Sequence, residues 1–400
     1  MFKILLITIE LPYPPTSGGR MKSWNMLKYL SQRHEVGLAC PVKYGDEQIT
    51  KMRGQIKLKE FIADRCEIPR TPKNLIKSYL HRIPLNVYRS KSQVVFENVA
   101  KVADQYQIIL IDHYEAFQYI PQNYRGKVVF HAHNATYLMW ERFAVTGSNA
   151  LMRLVARLEA ERVKAYEKNV CEHADMIFAA PNDIEMLSVL GVCKDKFRET
   201  YHLGDDSQLD LPSIRFDQTR KKILYVGTLN WEANIDGLLW FIKEVWPQIV
   251  QSDPSIVLDI VGGNPDTRIV AACEPHANIH LLGFVENLED CFKDSRVFIA
   301  PLRFGSGIKV KVLNSMCRGL PIVTTSVGVE GIDIEHMKHS MVADDALAYA
   351  TAVIRLMVDK VLWETIETNS RKLIVSKYTW KKVLGDLNQE IIQLCNDRTQ

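Results

Sequence analysis

The run "RFGSGIKVKVLN" (303–314) follows the apolar run "RVFIAPL". Gly305, Ser306, Gly307 and Ile308 lead from that predicted strand into a predicted helix. Backbone amides at such a helix start can cradle a phosphate, because the first turn leaves N–H groups unpaired and the helix dipole favours an anion. Arg303 and Lys309 add positive charge where a diphosphate would need it. Lys311 reads as a solvated helix residue. The run lacks Gly-Lys-Ser/Thr, so it is not a P-loop, and the first strand does not lead into Gly-x-Gly-x-x-Gly, which argues against a nicotinamide dehydrogenase.

Two other groups have suggestive spacing. In "ELPYPPTSGGR", Gly18 and Gly19 precede a helix beginning near Arg20, and paired glycines let backbone amides approach a ligand there. "IDHYEAF" and "FHAHNATYLMWER" put His113, His131, His133 and Asn134 just after strands, suited to polar substrate contact or acid–base work. His131 and His133 share a face, yet the sequence shows no Asp, Glu or Cys at matching metal-ligand spacing, so no metal site is expected. Farther on, "DIVGGNPD" places Gly262 and Gly263 at a strand end. "HLLGFVENLEDCF" places Phe284 and Val285 after another, a segment able to read a nucleobase through its backbone and an apolar platform.

These residues need strands that end beside one another. Short apolar runs alternate with helical stretches along the chain, at 2–9, 35–40, 62–68, 107–112, 127–132 and 175–180, then at 222–227, 256–261, 279–282, 296–301, 321–325 and 339–343. Nearly continuous apolar strands are covered on both faces, hence parallel. The expected fold is α/β, with two doubly wound Rossmann-like domains facing across a cleft and ligands at the carboxyl ends of the strands. The polar, acid-rich stretch 203–222 reads as the linker. The domains are expected at 1–203 and 204–377, with 378–400 packing back on the first.

The 400 residues are too many for one ordinary core, and a net charge of +3 gives no polyanion-binding signal, so nucleic acid is not an expected partner. Eight scattered cysteines without ligand spacing suggest buried, reduced thiols in a cytoplasmic protein. The amino-terminal apolar run reads as a buried strand rather than a signal peptide, and no run is long enough to span a membrane. The stretch 70–92 holds six Lys/Arg and no acid, with apolar residues interleaved, and is the candidate for peripheral contact with the inner face of a membrane.

Taken together, "PYPPTSGGR", "HAHN" and "ADMIFAAPND" in the first half, and "YVGTLNWEANIDGLLWFIKEVWP" with "HLLGFVENLEDCFKDSRVFIAPLRFGSGIKVKVLNSMCRGLPIVTTSVGVEGID" in the second, resemble the retaining GT-B glycosyltransferases of family 4 type (glycosyl transferases group 1). The resemblance covers essentially the whole chain, and the second block is its specific part. It implies transfer of a sugar from a UDP- or GDP-linked donor to a saccharide or lipid-linked acceptor in cell-surface glycan synthesis, with no cofactor and no metal. It implies that Gly18, Gly19 and Arg20 lie near the diphosphate, His133 near the transferred sugar, Phe284 and Val285 at the base, and Gly305, Gly307 and Lys309 at the diphosphate. His113, His131 and Asn134 fall to the acceptor.

The chain departs from the family pattern twice. Ser306 and Asn314 stand where the family commonly has two glutamates, the second of which grips the ribose hydroxyls. The loop after the first strand of the second domain carries Thr228 and no lysine, so Lys309 and Arg303 are expected to supply the missing charge. These departures keep two rivals open: a non-catalytic nucleotide-sugar-binding relative or scaffold, and a nucleotide-sugar 2-epimerase of the same fold.

Overall fold

The computed structural model describes residues 1–43, 46–146, 150–201, 203–305 and 308–396. The chain divides into two compact units, Met1–His202 with Leu384–Gln400, and Leu203–Val383.

The first unit holds a seven-stranded parallel sheet: β1 (Lys3–Ile7), β2 (Glu35–Val42), β3 (Glu60–Arg65), β4 (Ile108–Asp112), β5 (Lys127–His131), β6 (Met176–Ala179) and β7 (Phe197–Glu199). Their spatial order is β3-β2-β1-β4-β5-β6-β7, so the winding reverses between β1 and β4. Ile4, Leu5, Leu6 and Ile7 are fully buried, as are Ile108 to Ile111, which explains why these strands read as unbroken apolar runs. The amino terminus of the sequence is therefore a central strand. β7 was not anticipated, since three residues with one buried side chain leave no apolar run to read.

The second unit repeats the plan with six parallel strands: β8 (Lys222–Val226), β9 (Val257–Val261), β10 (Ile279–Gly283), β11 (Val297–Ala300), β12 (Ile322–Thr324) and β13 (Met341–Val342). Their order is β10-β9-β8-β11-β12-β13, and the reversal falls between β8 and β11. Ligands of open α/β sheets bind beyond the strand ends at such reversals.

The segment 203–222 is not a free linker. Leu203 and Ile214 are buried, Arg318 donates to the Pro212 carbonyl at 2.9 Å, and Arg371 donates to the Leu209 carbonyl at 2.6 Å. Its backbone carbonyls are tied down by the buried Arg318 and the half-buried Arg371. The terminal helix Trp380–Asn396 begins with Trp380, whose Nε1 donates to the Gly204 carbonyl at 3.0 Å. Farther along it, Asn388 meets His34 at 2.6 Å and Glu390 accepts from Arg198 at 2.5 Å, both within the first unit. Cys40, Cys171, Cys273 and Cys317 are buried as expected, whereas Cys66, Cys291 and Cys395 are half-buried and Cys193 is exposed, contrary to the expected burial. No described helix is long and apolar enough to cross a membrane.

Candidate functional site

In the first unit a carboxylate gathers three histidines at the winding reversal. Asp112 ends β4 and is fully buried; His131 ends β5, and His133 lies two residues on. His131 Nδ1 and His133 Nε2 both lie 2.6 Å from Asp112 Oδ1. Ser23, on the helix Gly18–Ser31, donates to Asp112 Oδ2. His113 follows Asp112 with a left-handed φ of 77°, a costly conformation for a non-glycine residue, and its ring stacks on His133 with centroids 3.6 Å apart. A methyl group placed on Gly19 would sit 3.8 Å from His113 Nε2 and 3.9 Å from His133 Nδ1, so the glycine loop faces both rings.

The electrostatics fix the proton positions. Burial would raise the Asp112 pKa, but the His133 and His113 rings and the hydrogen bonds from His131 and His133 outweigh it and hold the carboxyl well below its usual range. Burial pushes His131 down to about 4 and His133 well below its ordinary value, against the pull of Asp112. The stable arrangement is an ionised carboxylate accepting from two neutral imidazoles. His133 then carries its proton on Nε2 and a lone pair on Nδ1.

Sequence reasoning missed four members of this cluster, Asp112, Lys22, Ser23 and Glu115, although the run "IDH" sets Asp112 beside His113 at a strand end. Lys22 is 3 % exposed, its Nζ makes no hydrogen bond, and burial lowers its pKa to about 8, with Asp112 and Asp183 opposing. Ser23 and Glu115 are also buried, and burial raises the Glu115 pKa. The ligand atoms of Asp112, His113 and His133 lie within 4.8 Å of one another, a metal-ligand set. The expectation that no carboxylate accompanies the histidines is thus corrected: Asp112 arrives from the neighbouring strand. Its oxygens already accept from Ser23, His131 and His133, and the Lys22 ammonium close by repels a cation, so the donor set fits a metal poorly. Arg20 pairs with Glu10 at 2.6 Å, and Asn134 is exposed.

The second unit assembles its residues at the β8/β11 reversal. Gly305, with φ 135°, lies after β11, and a methyl group there would meet Lys309 Nζ at 4.0 Å. The Lys309 amine lies 3.6 Å from Glu330 Oε2 and immediately precedes the helix Val310–Arg318, whose start has no side-chain cap. Ile308 is partly buried beside it; Ser306 and Gly307 lie outside the described residues.

Lys311 is not a solvated helix residue. Its Nζ bonds Tyr225 Oη at 2.9 Å and Asn234 Oδ1 at 2.8 Å. A methyl group on Gly227, at the end of β8, would come within 2.8 Å of that Nζ. Burial, then the charge of Lys309, lowers the Lys311 pKa to about 7. The loop after β8 lacks a lysine of its own, and Lys311 puts an amine there from a different element.

Other residues fall less simply. Arg303 is held by Asp236 in a two-pronged ion pair at 2.9 and 2.5 Å, so its guanidinium already has a counter-charge. Asn314 Oδ1 accepts from the Asp205 amide at 2.8 Å, and a methyl group on Gly204 would overlap it at 2.1 Å. Gly262 packs against the Gly227 carbonyl, where any Cβ would lie at 2.1 Å, so its requirement is close backbone approach. Thr228 is exposed, and its carbonyl accepts from Asn234 Nδ2 at 2.9 Å. Phe284 is 80 % exposed beyond Gly283, whose φ is 69°, and its Cβ lies 3.7 Å from where a methyl on Gly263 would sit; Val285 is partly buried. An exposed aromatic ring beside a glycine turn offers a face on which a base could stack.

Residues 220–359 match the family model described as Glycosyl transferases group 1, which covers most of the second unit. Over 98 % of this chain and 100 % of its own length, a Klebsiella pneumoniae protein described as an uncharacterized 44.6 kDa protein in the cps region is 23 % identical. Anabaena HepE, solved with UDP and glucose, superposes with a TM-score of 0.66 at 13 % identity, covering 98 % of this chain and 100 % of that one. WaaG, a glycosyltransferase involved in lipopolysaccharide biosynthesis, gives 0.64 at 14 % identity, with 96 % and 98 % covered. The resemblance to group 1 glycosyl transferases is borne out over 220–359, and the two parallel-sheet domains have the GT-B glycosyltransferase fold.

Proposed function

We propose that this chain is a retaining glycosyltransferase that moves a hexose from a nucleoside-diphosphate sugar to a saccharide or lipid-linked acceptor in surface-glycan synthesis. The observation that carries the reading is the pair of amines at the ends of neighbouring strands. Lys309 lies over Gly305 after β11, and Lys311 reaches Gly227 after β8, both at the start of one helix. Two amines at a helix start with no side-chain cap suit a diphosphate. Phe284 suits the base, and a uridine donor is in keeping with the UDP held by HepE.

Charge builds on the leaving diphosphate as the sugar–phosphate bond loosens. Preorganised donors aimed at that charge lower the barrier most. Lys309, Lys311 and the first amides of the helix Val310–Arg318 would do this without a metal or cofactor. The acceptor is assigned to the first unit, where the Nδ1 lone pair of His133 can accept a hydroxyl hydrogen bond. Asp112 fixes that tautomer from the far side of the ring.

The test is release of free nucleoside diphosphate from a panel of UDP- and GDP-sugars by the purified protein. We expect slow donor hydrolysis that Lys309→Ala abolishes while the melting temperature holds. Full activity in Lys309→Ala would refute the assignment. A non-catalytic nucleotide-sugar binder is the second reading, favoured by Asn314, whose carbonyl oxygen is tied to Asp205. Tight nucleotide binding with no hydrolysis of any donor would select it.

A further inference from the structure

We infer that the outer faces of three first-unit helices, Pro72–Leu80, Thr136–Thr146 and Ala150–His173, form a docking surface for an anionic lipid bilayer. The inference stands independently of the donor and acceptor reading. Of the twenty-four large hydrophobic side chains exposed among the described residues, these three helices hold ten. Scattered exposed apolar residues are ordinary, but such a concentration is not.

The helix Pro72–Leu80 is amphipathic in the wrong sense for a soluble protein. Its one buried residue is Ser78, whereas Ile76 is 63 % and Leu80 79 % exposed, at the i, i+4 spacing of one face. On Ala150–His173, Leu151, Leu154 and Leu158 make a stripe at i, i+3, i+7, exposed by 70, 53 and 49 %. That stripe continues into Arg162, whose guanidinium lies 3.7 Å over the Tyr79 ring and donates to the Ser78 carbonyl at 2.9 Å. The two apolar faces are therefore neighbours. Phe143, 51 % exposed, extends them onto Thr136–Thr146, which packs against Ala150–His173.

Charge selects the occupant. The three helices carry eight Lys/Arg against three carboxylates outside the core, Glu141, Glu161 and Glu172, while Glu159 and Glu167 are buried; Glu141 lies 3.8 Å from Lys164. Two copies of this face would repel each other. An anionic bilayer takes the leucines, isoleucine and phenylalanine into the headgroup–acyl boundary while lysine and arginine heads stay among the phosphates. The sequence suggested 70–92 through its charge. It gave no sign of the leucine stripe, because periodic leucines on a long helix read as core.

The test is co-sedimentation of the full chain with vesicles of phosphatidylcholine alone and of phosphatidylcholine mixed with phosphatidylglycerol. Binding is expected only to the mixed vesicles and should weaken with added salt. Leu154→Ser/Leu158→Ser and Ile76→Ser/Leu80→Ser should each lower partitioning by about tenfold or more. Lys73→Gln/Lys77→Gln should erode the preference for anionic vesicles. Because these side chains are exposed, the melting temperature and nucleotide affinity should not move. Failure of the unaltered protein to sediment with mixed vesicles would overturn the inference. So would leucine variants that bind as well as the parent, or that turn a dimer into a monomer in light scattering.

Discussion

Replacing Lys311 by Met tests whether the buried amine is a diphosphate ligand. The side chains are similar in length, so packing is conserved while the charge is removed. A hydrogen bond from an ammonium to a phosphate is worth about 1.5–3 kcal/mol, or about 10- to 150-fold in affinity. Titration calorimetry with UDP and the preferred nucleotide sugar should show a loss of that size. The pH dependence is more diagnostic. Lys311 is depressed to about 7 in the free protein, and a bound diphosphate would favour its charged form. Binding then takes up a proton above about pH 7, and affinity should fall as pH rises, by up to about tenfold per unit for one linked proton. A nucleotide sugar, whose diphosphate has no proton to lose there, isolates the lysine. The slope should flatten in Lys311→Met. The variant leaves Tyr225 Oη and Asn234 Oδ1 without their shared donor, a cost of about 1–3 kcal/mol each at most, offset by removal of a buried charge. A melting curve separates that effect from binding. Affinity within about threefold of the parent, with an unchanged pH slope, would refute the reasoning.

Phe284→Ala should weaken nucleotide binding by about 1–3 kcal/mol, the usual worth of one base stack, without changing stability, as equilibrium binding and melting curves would show. Arg303→Ala should alter nucleotide affinity only slightly, because Asp236 already neutralises the guanidinium; a loss of more than about tenfold would show that Asp236 releases it to the ligand. Asp112→Asn keeps the shape but lets His133 carry its proton on either nitrogen. Transfer rates should fall by about a hundredfold or more, while nucleotide affinity on the second unit holds. Gly319→Ala should lower the melting temperature, since a φ of 80° costs a side chain about 1–2 kcal/mol and the new Cβ would lie 2.8 Å from Glu367 Oε1.

Strand positions were legible because fully buried parallel strands leave unbroken apolar runs, and Ile4–Ile7 or Ile108–Ile111 cannot be read otherwise. β7 and the 203–222 segment were not, because short-range polarity does not reveal which arginine will hold which carbonyl. The same limit applied to the sites. Strand-end histidines and the 303–314 loop could be found from spacing alone. Asp112 joining His131 and His133 depends on β4 lying beside β5, and Lys311 reaching Gly227 depends on β8 lying beside β11. Both are facts of sheet order, which periodicity does not encode.

Lys311 also changes what the missing lysine after β8 means. A lysine on the loop itself would be held by nothing but the ligand and would keep an ordinary pKa. Delivered from the helix, the amine is fixed by Tyr225 and Asn234 before any ligand arrives, and burial, with Lys309 on the adjoining turn adding to it, favours loss of its proton. Lys311 is therefore only partly charged at neutral pH until an anion enters, while Lys309 has Glu330 3.6 Å away. A diphosphate stabilises the charged form of Lys311, whereas a neutral ligand does not, so the arrangement favours an anionic ligand. The substitution of Asn314 for a charged ribose contact works in the same direction. If the proposed donor reading holds, that weaker ribose contact leaves more of the selectivity for a nucleotide to the phosphates and to Phe284. Nucleoside diphosphates should accordingly bind nearly as well as the full donor, and the corresponding monophosphates much less well.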